Sequence, residues 1–363
     1  MSYIKYLWIS LFLTVLFIVF QNFEFDTLPT GTLLHALTFN ETLNLWKDDK
    51  LLDLKGFNYI INNRLICEND KTHIVQIVTS FAANVETRSA LRRAYPQEEL
   101  EKLGIVRVFL LGKLKQYQTD VSQMALINEN DRYGDLLQGN FYESYRNLTY
   151  KHIMGLKWAV MYCTAKKYII KMDDDILVNM YELVNIIKDN FQTSTDLMGY
   201  LLKGMRPIRI KANKWYVTKE EYSGDQYPSF LSGWLYVTTP QSAMGLVFMA
   251  HQIPYFWIDD LFITGIIANE LENKFVDISK YFTTHPELIE CCIRHGVKCE
   301  FVVAPTGGDN MLQVRFQEHS KKCYYTDCQE LPEEKRIEKT CVAKRKYGMP
   351  LQKGIPFYTK VQI

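Results

Sequence analysis

The sequence predicts an α/β fold in which helices cover both faces of a mostly parallel sheet. Short β-branched runs, which are typical of buried strands, alternate with stretches that carry apolar residues at helical spacing. One run, Tyr168–Met172, leads directly into three consecutive carboxylates, Asp173, Asp174 and Asp175. Acidic residues at the end of a strand are expected at the edge of an open sheet, where such folds bind ligands.

The predicted elements begin with the strand His73–Ser80, which reads His-Ile-Val-Gln-Ile-Val-Thr-Ser. Between this strand and the aspartates we predict a helix that Thr87 caps and Pro96 stops, strands at Val106–Leu111 and Asp135–Gln138, and a helix at Tyr145–Cys163. After the aspartates follow a helix, a strand at Leu197–Leu201, a hairpin-like stretch at Ile208–Ile210 and Lys214–Val217, a strand at Leu235–Thr238 and a helix at Pro240–Ala250.

The N-terminal segment predicts a membrane anchor. Tyr6–Phe20 is almost wholly apolar, Lys5 lies just before it, and Glu24 and Asp26 follow. This stretch is shorter than the ~20 residues that usually span a bilayer, but thinner secretory membranes accept shorter spans. Because no small-residue cleavage site follows, we expect a signal anchor with residues 1–5 in the cytosol and the remainder in the lumen. A cleaved signal peptide is the alternative.

The remaining chain divides by composition into three parts. Residues 21–70 lack a sustained period and predict a lumenal stem, residues 71–285 carry the α/β pattern, and residues 286–363 are rich in cysteine. An even number of cysteines in a lumenal chain predicts disulfides, with connectivity left open. Their spacing differs from the common zinc-ligand patterns, so a zinc site is the less favoured alternative. The eight cysteines are Cys67, Cys163, Cys291, Cys292, Cys299, Cys323, Cys328 and Cys341.

Two further features bear on location and partners. Sequons at Asn40 and Asn147 would accept N-linked glycans only if this part of the chain is lumenal. The formal net charge of +1 gives no basic excess, so the composition does not favour nucleic-acid binding.

The three adjacent aspartates have two interpretations. Neighbouring carboxylates repel one another unless a cation or hydrogen-bond donors offset their charge. A divalent cation that carries a diphosphate would do so, because Mg²⁺ and Mn²⁺ prefer hard oxygen ligands. The alternative is a solvated acidic turn. The strand before the aspartates and the helical pattern after them favour a nucleotide-sugar site.

The chain resembles glycosyltransferase family 31, the β-1,3-galactosyltransferases and β-1,3-N-acetylglucosaminyltransferases. The resemblance lies in five blocks that occur in the family's order, namely Thr87–Tyr95, Glu129–Trp158, Lys171–Asn179, Tyr227–Val237 and Asp259–Gly265. It implies a GT-A fold, in which a nucleotide-binding α/β half is fused to an acceptor half. Residues 71–285 would then form the catalytic domain, which residues 286–363 complete.

The resemblance also implies an activity and a location. The expected reaction is inverting transfer of galactose or N-acetylglucosamine from a UDP-sugar to a glycan hydroxyl, with Mn²⁺ or Mg²⁺ as cofactor. The expected donor is UDP-galactose or UDP-N-acetylglucosamine, and the expected acceptor is a glycoprotein or glycolipid glycan. The chain would be a single-pass type II protein of the Golgi membrane with a lumenal catalytic domain.

Family motifs assign roles on the donor side of the expected site. We expect Asp175 to bind the metal directly, and Asp173 to contact the metal or the nucleotide. Asp174 is a candidate for cofactor binding or for support of the turn. Arg88 and Arg92 would face the diphosphate, or form salt bridges on a helix surface instead.

On the acceptor side, Asp260 matches the second acid of the family's Glu-Asp-Val motif and is the expected general base, with Asp259 beside it. Ser232, Gly233 and Trp234 form the expected acceptor loop.

Three positions depart from the family pattern. Asp259 replaces a glutamate, and Trp234-Leu235 stands where the family has flexible glycine. Family members carry a late histidine that completes the metal site, and Ala304 or a neighbour stands at its position here. These departures keep a second hypothesis open, a catalytically inactive GT-A protein that binds glycans or acts as a chaperone. A two-metal phosphoesterase is disfavoured, because the sequence shows no second cluster of metal ligands.

Overall fold

An eight-stranded mixed sheet organises the part of the chain that the structure, a computed structural model, describes: residues 50–115, 120–191 and 193–341. The strands are β1 Lys50–Leu51, β2 Leu54–Lys55, β3 Tyr59–Asn62, β4 Ile74–Thr79, β5 Ile105–Lys113, β6 Leu136–Tyr142, β7 Tyr168–Asp173, β8 Ile176–Val178, β9 Asp196–Leu202, β10 Phe230–Thr238, β11 Lys274–Asp277 and β12 Val303–Pro305. In the large sheet they lie in the order β11-β9-β10-β7-β4-β5-β6-β3. Only β10 and β3 run against the other six, so the sheet is mostly parallel.

Helices pack on both faces of this sheet. They are α1 Val85–Ala94, α2 Gln97–Lys102, α3 Gln123–Tyr133, α4 Leu148–Tyr162, α5 Met180–Asn190, α6 Pro240–Ala250, α7 Ala268–Glu270, α8 Pro286–His295, α9 Asn310–Thr326 and α10 Ile337–Thr340. A π-helical segment, Leu261–Ile267, leads into α7. Short 3₁₀ turns occupy Arg64–Glu68, Tyr145–Asn147, Ser279–Tyr281 and Glu333–Lys335. The α/β class predicted from the sequence is therefore confirmed.

Alternation along the central strands creates two cores. Side chains such as Val75 and Ile77 pack on the face covered by α4 and α6, whereas Ile74 and Val78 pack on the face covered by α1 and α5. Helix α4 is buried all round from residue 149 to residue 160, because it lies between the sheet and α6. Its Gly155 permits this close approach, since an added Cβ would lie 2.4 Å from Leu110.

All eight cysteines form disulfides, which confirms that prediction. The pairs are Cys67–Cys163, Cys291–Cys341, Cys292–Cys299 and Cys323–Cys328. Three of the four lie within the C-terminal part, where α8, α9 and α10 share a separate apolar cluster. Strand β12 pairs with β8, directly after the aspartates, and so attaches this part to the edge of the predicted site.

Two local predictions are wrong. Helix α1 begins at Val85 with Asn84 at its N-cap, so Thr87 lies inside the helix. The hairpin-like stretch contains only an isolated parallel bridge between Ile208 and Tyr216. This segment does not form strands because the Arg209 guanidinium folds it into a loop, donating to the carbonyls of Val217, Thr218, Tyr222 and Gly224.

The proposed anchor Tyr6–Phe20, the first part of the proposed stem and the Asn40 sequon lie outside the described residues. Among the residues that are described, no helix is both long enough and apolar enough to cross a membrane.

Candidate active site

The three aspartates occupy the edge of the sheet at which the parallel strands β4, β5, β6 and β7 end. Asp173 is the last residue of β7, and Asp174 and Asp175 form the turn into β8. Asp174 is buried, and its Oδ2 accepts hydrogen bonds from Ser80 Oγ at 2.7 Å and Asn84 Nδ2 at 3.2 Å. Asp175 is exposed. The carboxylate of Asp174 therefore braces the turn, whereas that of Asp175 is exposed and that of Asp173 is partly exposed.

A buried lysine joins this turn to the predicted acceptor loop. Lys171 is 1% exposed, and its Nζ donates to Asp173 Oδ1 at 2.8 Å and to the Gly233 carbonyl at 2.6 Å. The same Nζ lies 3.9 Å from Asp260 Oδ1. Burial lowers the pKa of Lys171, but the charges of Asp173, Asp260 and Asp259 outweigh burial and raise it overall. The ammonium is therefore charged and shared between both halves of the site.

Asp173 and Asp175 have the chemistry of an incomplete metal site. Burial raises the pKa of Asp173 to about 7, and the charges of Asp175 and Asp259 add to this rise although Lys171 opposes it. A further negative charge is thus costly here, and a divalent cation would relieve that cost. Two carboxylates suffice for Mg²⁺-type binding when substrate phosphates and water supply the other ligands. The donor set therefore fits such an ion.

Strand β12 contains Ala304, the position at which the family pattern has a metal-binding histidine. Ala304 is buried and pairs with Leu177 across β12 and β8, and the Thr306 amide donates to the Asp175 carbonyl at 2.8 Å. Alanine offers no ligand atom from its side chain. Any metal bound here would therefore depend on the two aspartates and on the substrate.

Gly233 and Asp260 fit against each other without spare room. The Gly233 amide donates to Asp260 Oδ2 at 2.9 Å, and an added Cβ on Gly233 would lie 2.1 Å from Asp260 Oδ1. No other residue type could occupy position 233 while Asp260 stays in place. A register shift between Leu231 and Tyr236 interrupts the β10–β9 pairing at this point, as β-bulges often do beside active sites.

The bulky residue that replaces a family glycine turns away from this contact. Trp234 packs partly buried against the core under α1 and α5, whereas Gly233 faces Asp260. Ser232 is buried, and its Oγ accepts from the Trp234 amide at 3.4 Å. The structure thus brings Gly233 next to Asp260 but uses Ser232 and Trp234 within the fold.

Asp259 and Asp260 directly precede the π-helical segment, a type of irregularity that is frequent at functional sites. Asp260 keeps 28% of its side-chain surface exposed. Burial, and next the charge of Asp259, hold the pKa of Asp260 well above its usual range.

Asp259 is held in the opposite state. Its Oδ2 lies 2.9 Å from His152 Nδ1, and its side chain is 11% exposed. Burial raises the pKa of Asp259, but the His152 hydrogen bond and the Lys171 charge outweigh it and lower the pKa to about 2. Two neighbouring acids whose pKa values are shifted in opposite directions are suited to different roles in acid–base chemistry. With its raised pKa and partly exposed carboxylate, Asp260 is the one suited to accept a proton.

Arg88 and Arg92 lie in buried ion pairs. Arg88 donates to both oxygens of Glu129, at 2.7 and 2.6 Å, and Arg92 donates to both oxygens of Asp135, at 2.9 and 2.7 Å. Arg88 also donates to Ser80 Oγ at 3.2 Å, which in turn contacts Asp174. Arg88 therefore supports the loop after β4, whereas Arg92 ties α1 to Glu129 and Asp135. Contact of either guanidinium with a diphosphate stays a prediction.

The Asn147 sequon lies at the start of α4. Asn147 Nδ2 donates to the Tyr142 carbonyl at 2.8 Å, and the buried Thr149 hydroxyl donates to the Phe256 carbonyl at 2.8 Å. Glycosylation of Asn147 stays a prediction.

Two residues in this region had no assigned role in the sequence analysis. Lys171 has a signal in the sequence, because residues two apart on a strand share a face, and Asp173 follows it by two. His152 has no such signal, because the residues on either side of it in α4 are buried as well and no pattern sets it apart.

Comparison with known proteins places the chain among sugar-transferring enzymes. A family model described as galactosyltransferase matches residues 86–279. β-1,3-Galactosyltransferase 5 of Pan paniscus is 28% identical over 264 residues, which cover 72% of this chain and 87% of that protein. Human β-1,3-galactosyltransferase 2 is 32% identical over 58% of this chain and 51% of that protein.

A Xenopus laevis lactosylceramide 1,3-N-acetyl-β-D-glucosaminyltransferase B is 34% identical over 60% of this chain and 59% of that protein. Among solved structures, the apo form of the bifunctional glycosyltransferase WbbM aligns with 74% of this chain and 51% of that one, at 12% identity and a TM-score of 0.36.

Proposed function

The chain belongs to the galactosyltransferase family, glycosyltransferase family 31, and is a β-1,3-glycosyltransferase. We propose that it has a GT-A fold and that it transfers the sugar of a UDP-α-sugar with inversion of configuration at the anomeric carbon. The donor is UDP-galactose or UDP-N-acetylglucosamine, and the acceptor is a glycan hydroxyl on a glycoprotein or glycolipid. The single observation that carries this proposal is the position of Lys171, whose Nζ lies 2.8 Å from Asp173 and 3.9 Å from Asp260.

On the donor side, Asp175 and Asp173 are the residues that would hold Mn²⁺ or Mg²⁺. When bound, such a cation would neutralise the charge that develops on the leaving UDP. Asp174 keeps these ligands in place through Ser80 and Asn84.

On the acceptor side, Asp260 accepts the proton of the attacking hydroxyl. Its raised pKa makes the carboxylate a stronger base than an ordinary aspartate. The Gly233 amide orients one carboxylate oxygen, because it donates to Oδ2 at 2.9 Å. A single base opposite the leaving group produces inversion, and therefore a β linkage from an α-linked donor.

The chain acts in the Golgi lumen as a type II membrane protein, with residues 1–5 cytosolic, Tyr6–Phe20 as anchor and a stem before the catalytic domain. This proposal is supported by the apolar N-terminal segment and by four disulfides, which form in oxidising compartments. Replacing residues 1–25 by a cleavable signal should release soluble, active protein into the medium. Native protein recovered from the medium with its N-terminus removed near residues 20–25 would contradict the anchor.

The metal assignment predicts the behaviour of Asp175→Asn. The exchange keeps size but removes the charge of an exposed side chain, so folding should survive while Mn²⁺-dependent UDP binding is lost. Calorimetric titration of UDP with and without Mn²⁺ measures this effect. Asp131→Asn, which changes an exposed aspartate on α3, is the matched control and should bind UDP normally. If Asp175→Asn binds UDP as wild type does in Mn²⁺, the ligand assignment is wrong.

The base assignment predicts an asymmetric pair of variants. Asp260→Asn should keep UDP affinity, because the base touches the acceptor, and should lower kcat by about 10²- to 10⁴-fold, as expected for a lost general base. Asp259→Asn should keep UDP affinity as well and lower kcat less, because Asp259 supports Asp260 without touching the hydroxyl. Transfer assays with both candidate donors and equilibrium UDP binding measure the two quantities.

The contradicting outcomes of this experiment are distinct. A larger loss of kcat in Asp259→Asn than in Asp260→Asn would show that Asp259, and not Asp260, is the base. Full transfer in both variants would remove Asp260 from the mechanism. A wild-type protein that binds UDP-sugars and Mn²⁺ but transfers to no acceptor glycan would favour the glycan-binding or chaperone alternative.

A further inference from the structure

A buried hydrogen-bond chain lies behind the acidic pair. His152 Nε2 lies 2.6 Å from the Tyr236 hydroxyl, and His152 Nδ1 lies 2.9 Å from Asp259 Oδ2. Tyr236 and His152 are both fully buried, and Asp259 is 8% exposed. The three residues come from β10, α4 and the segment before the π-helix. The chain therefore links three separate elements at one point behind Asp260.

One arrangement of protons satisfies both hydrogen bonds of this chain. An ionised carboxylate can only accept, so Nδ1 of a neutral imidazole must donate to Asp259. Nε2 then has a free lone pair and accepts from the Tyr236 hydroxyl. Burial lowers the pKa of His152 and raises that of Tyr236, so both side chains stay uncharged. The direction of the chain is thus fixed from Tyr236 through His152 to Asp259.

The chain also fixes the surroundings of Asp260. One ring nitrogen of His152 and one oxygen from each of Asp259 and Asp260 lie within 4.8 Å of one another. Lys171 attracts both carboxylates, because the charges of Asp260 and Asp259 both raise its pKa. The hydrogen bond to His152 holds Oδ2 of Asp259, while Asp260 lies between Lys171, 3.9 Å from its Oδ1, and the Gly233 amide, 2.9 Å from its Oδ2.

We propose that His152 is a positioning residue, which locks Asp259 through the Tyr236–His152–Asp259 chain and thereby aligns Asp260 with the acceptor hydroxyl. The inference rests on the proposed function, because it assigns His152 to the step in which Asp260 takes a proton. His152 touches neither substrate. Its loss should therefore act on turnover and leave both donor and acceptor affinity intact.

Three variants test this proposal by steady-state transfer kinetics, with active protein counted by UDP-binding stoichiometry. His152→Ala should lower kcat about 10- to 100-fold, the range expected when a residue that orients a functional group is removed. His152→Asn should restore most of that loss, because its amide nitrogen takes the place of Nδ1 and donates to Asp259. Tyr236→Phe should lower kcat less than His152→Ala, because it removes the partner of Nε2 alone. KM and UDP affinity should stay unchanged throughout.

The control is Met154→Ala, a buried residue of the same helix that packs against Gly139 in β6. It should lower the melting temperature without changing kcat per active molecule. If His152→Ala changes kcat no more than this control does, or if His152→Asn is as slow as His152→Ala, the positioning role is wrong.

The hydrogen-bond chain has a readout that does not require transfer. In ¹⁵N-histidine NMR spectra, with the His152 signals identified by their loss in His152→Asn, the ring should be neutral with its proton on Nδ1. Replacing Asp259 with Asn should shift the Nδ1 signal. A proton on Nε2 would overturn the proposal even if transfer is observed. If the wild-type protein transfers no sugar, the proposed function is refuted. The tautomer of His152 would still show whether the hydrogen-bond chain exists.

Discussion

The buried ammonium of Lys171 is the interaction on which the site depends. A lysine inside an apolar strand is costly unless its charge is compensated, and here Asp173, Asp260 and the Gly233 carbonyl compensate it. These partners belong to the end of β7, the middle of β10 and the segment before the π-helix. The same charge therefore joins the end of β7 to Gly233 and Asp260, the two parts of the site that we propose for donor and acceptor.

The two aspartates before the π-helical segment differ in their surroundings. Asp259 points inward to His152 and stays ionised, whereas Asp260 keeps solvent access and a raised pKa. Gly233 belongs to the same arrangement, because only a residue without a side chain lets its amide reach Asp260. The aspartates at the end of β7 show a similar division, since Asp174 braces the turn and Asp175 is exposed.

Local patterns in the sequence predicted much of the fold but little of this connectivity. Strands such as Tyr168–Met172 and the helix Pro240–Ala250 follow from periodicity and turn residues alone. The contact between Gly233 and Asp260 and the pairing of β12 with β8 join residues far apart in the chain, which local periodicity does not encode. His152 was missed for another reason: it is one of several buried polar residues on α4, and nothing in the local sequence marks its contact with Asp259.

If Asp260 takes the acceptor proton on the face of the sugar opposite UDP, as we propose, transfer proceeds by a single displacement. The most direct measurement is the anomeric configuration of the first product, determined by NMR after wild-type protein reacts with a UDP-α-sugar and a glycan acceptor. We expect a β-linked sugar on a 3-hydroxyl. An α-linked product would contradict it, because retention requires a carboxylate or acceptor geometry that a single base opposite the leaving group does not provide.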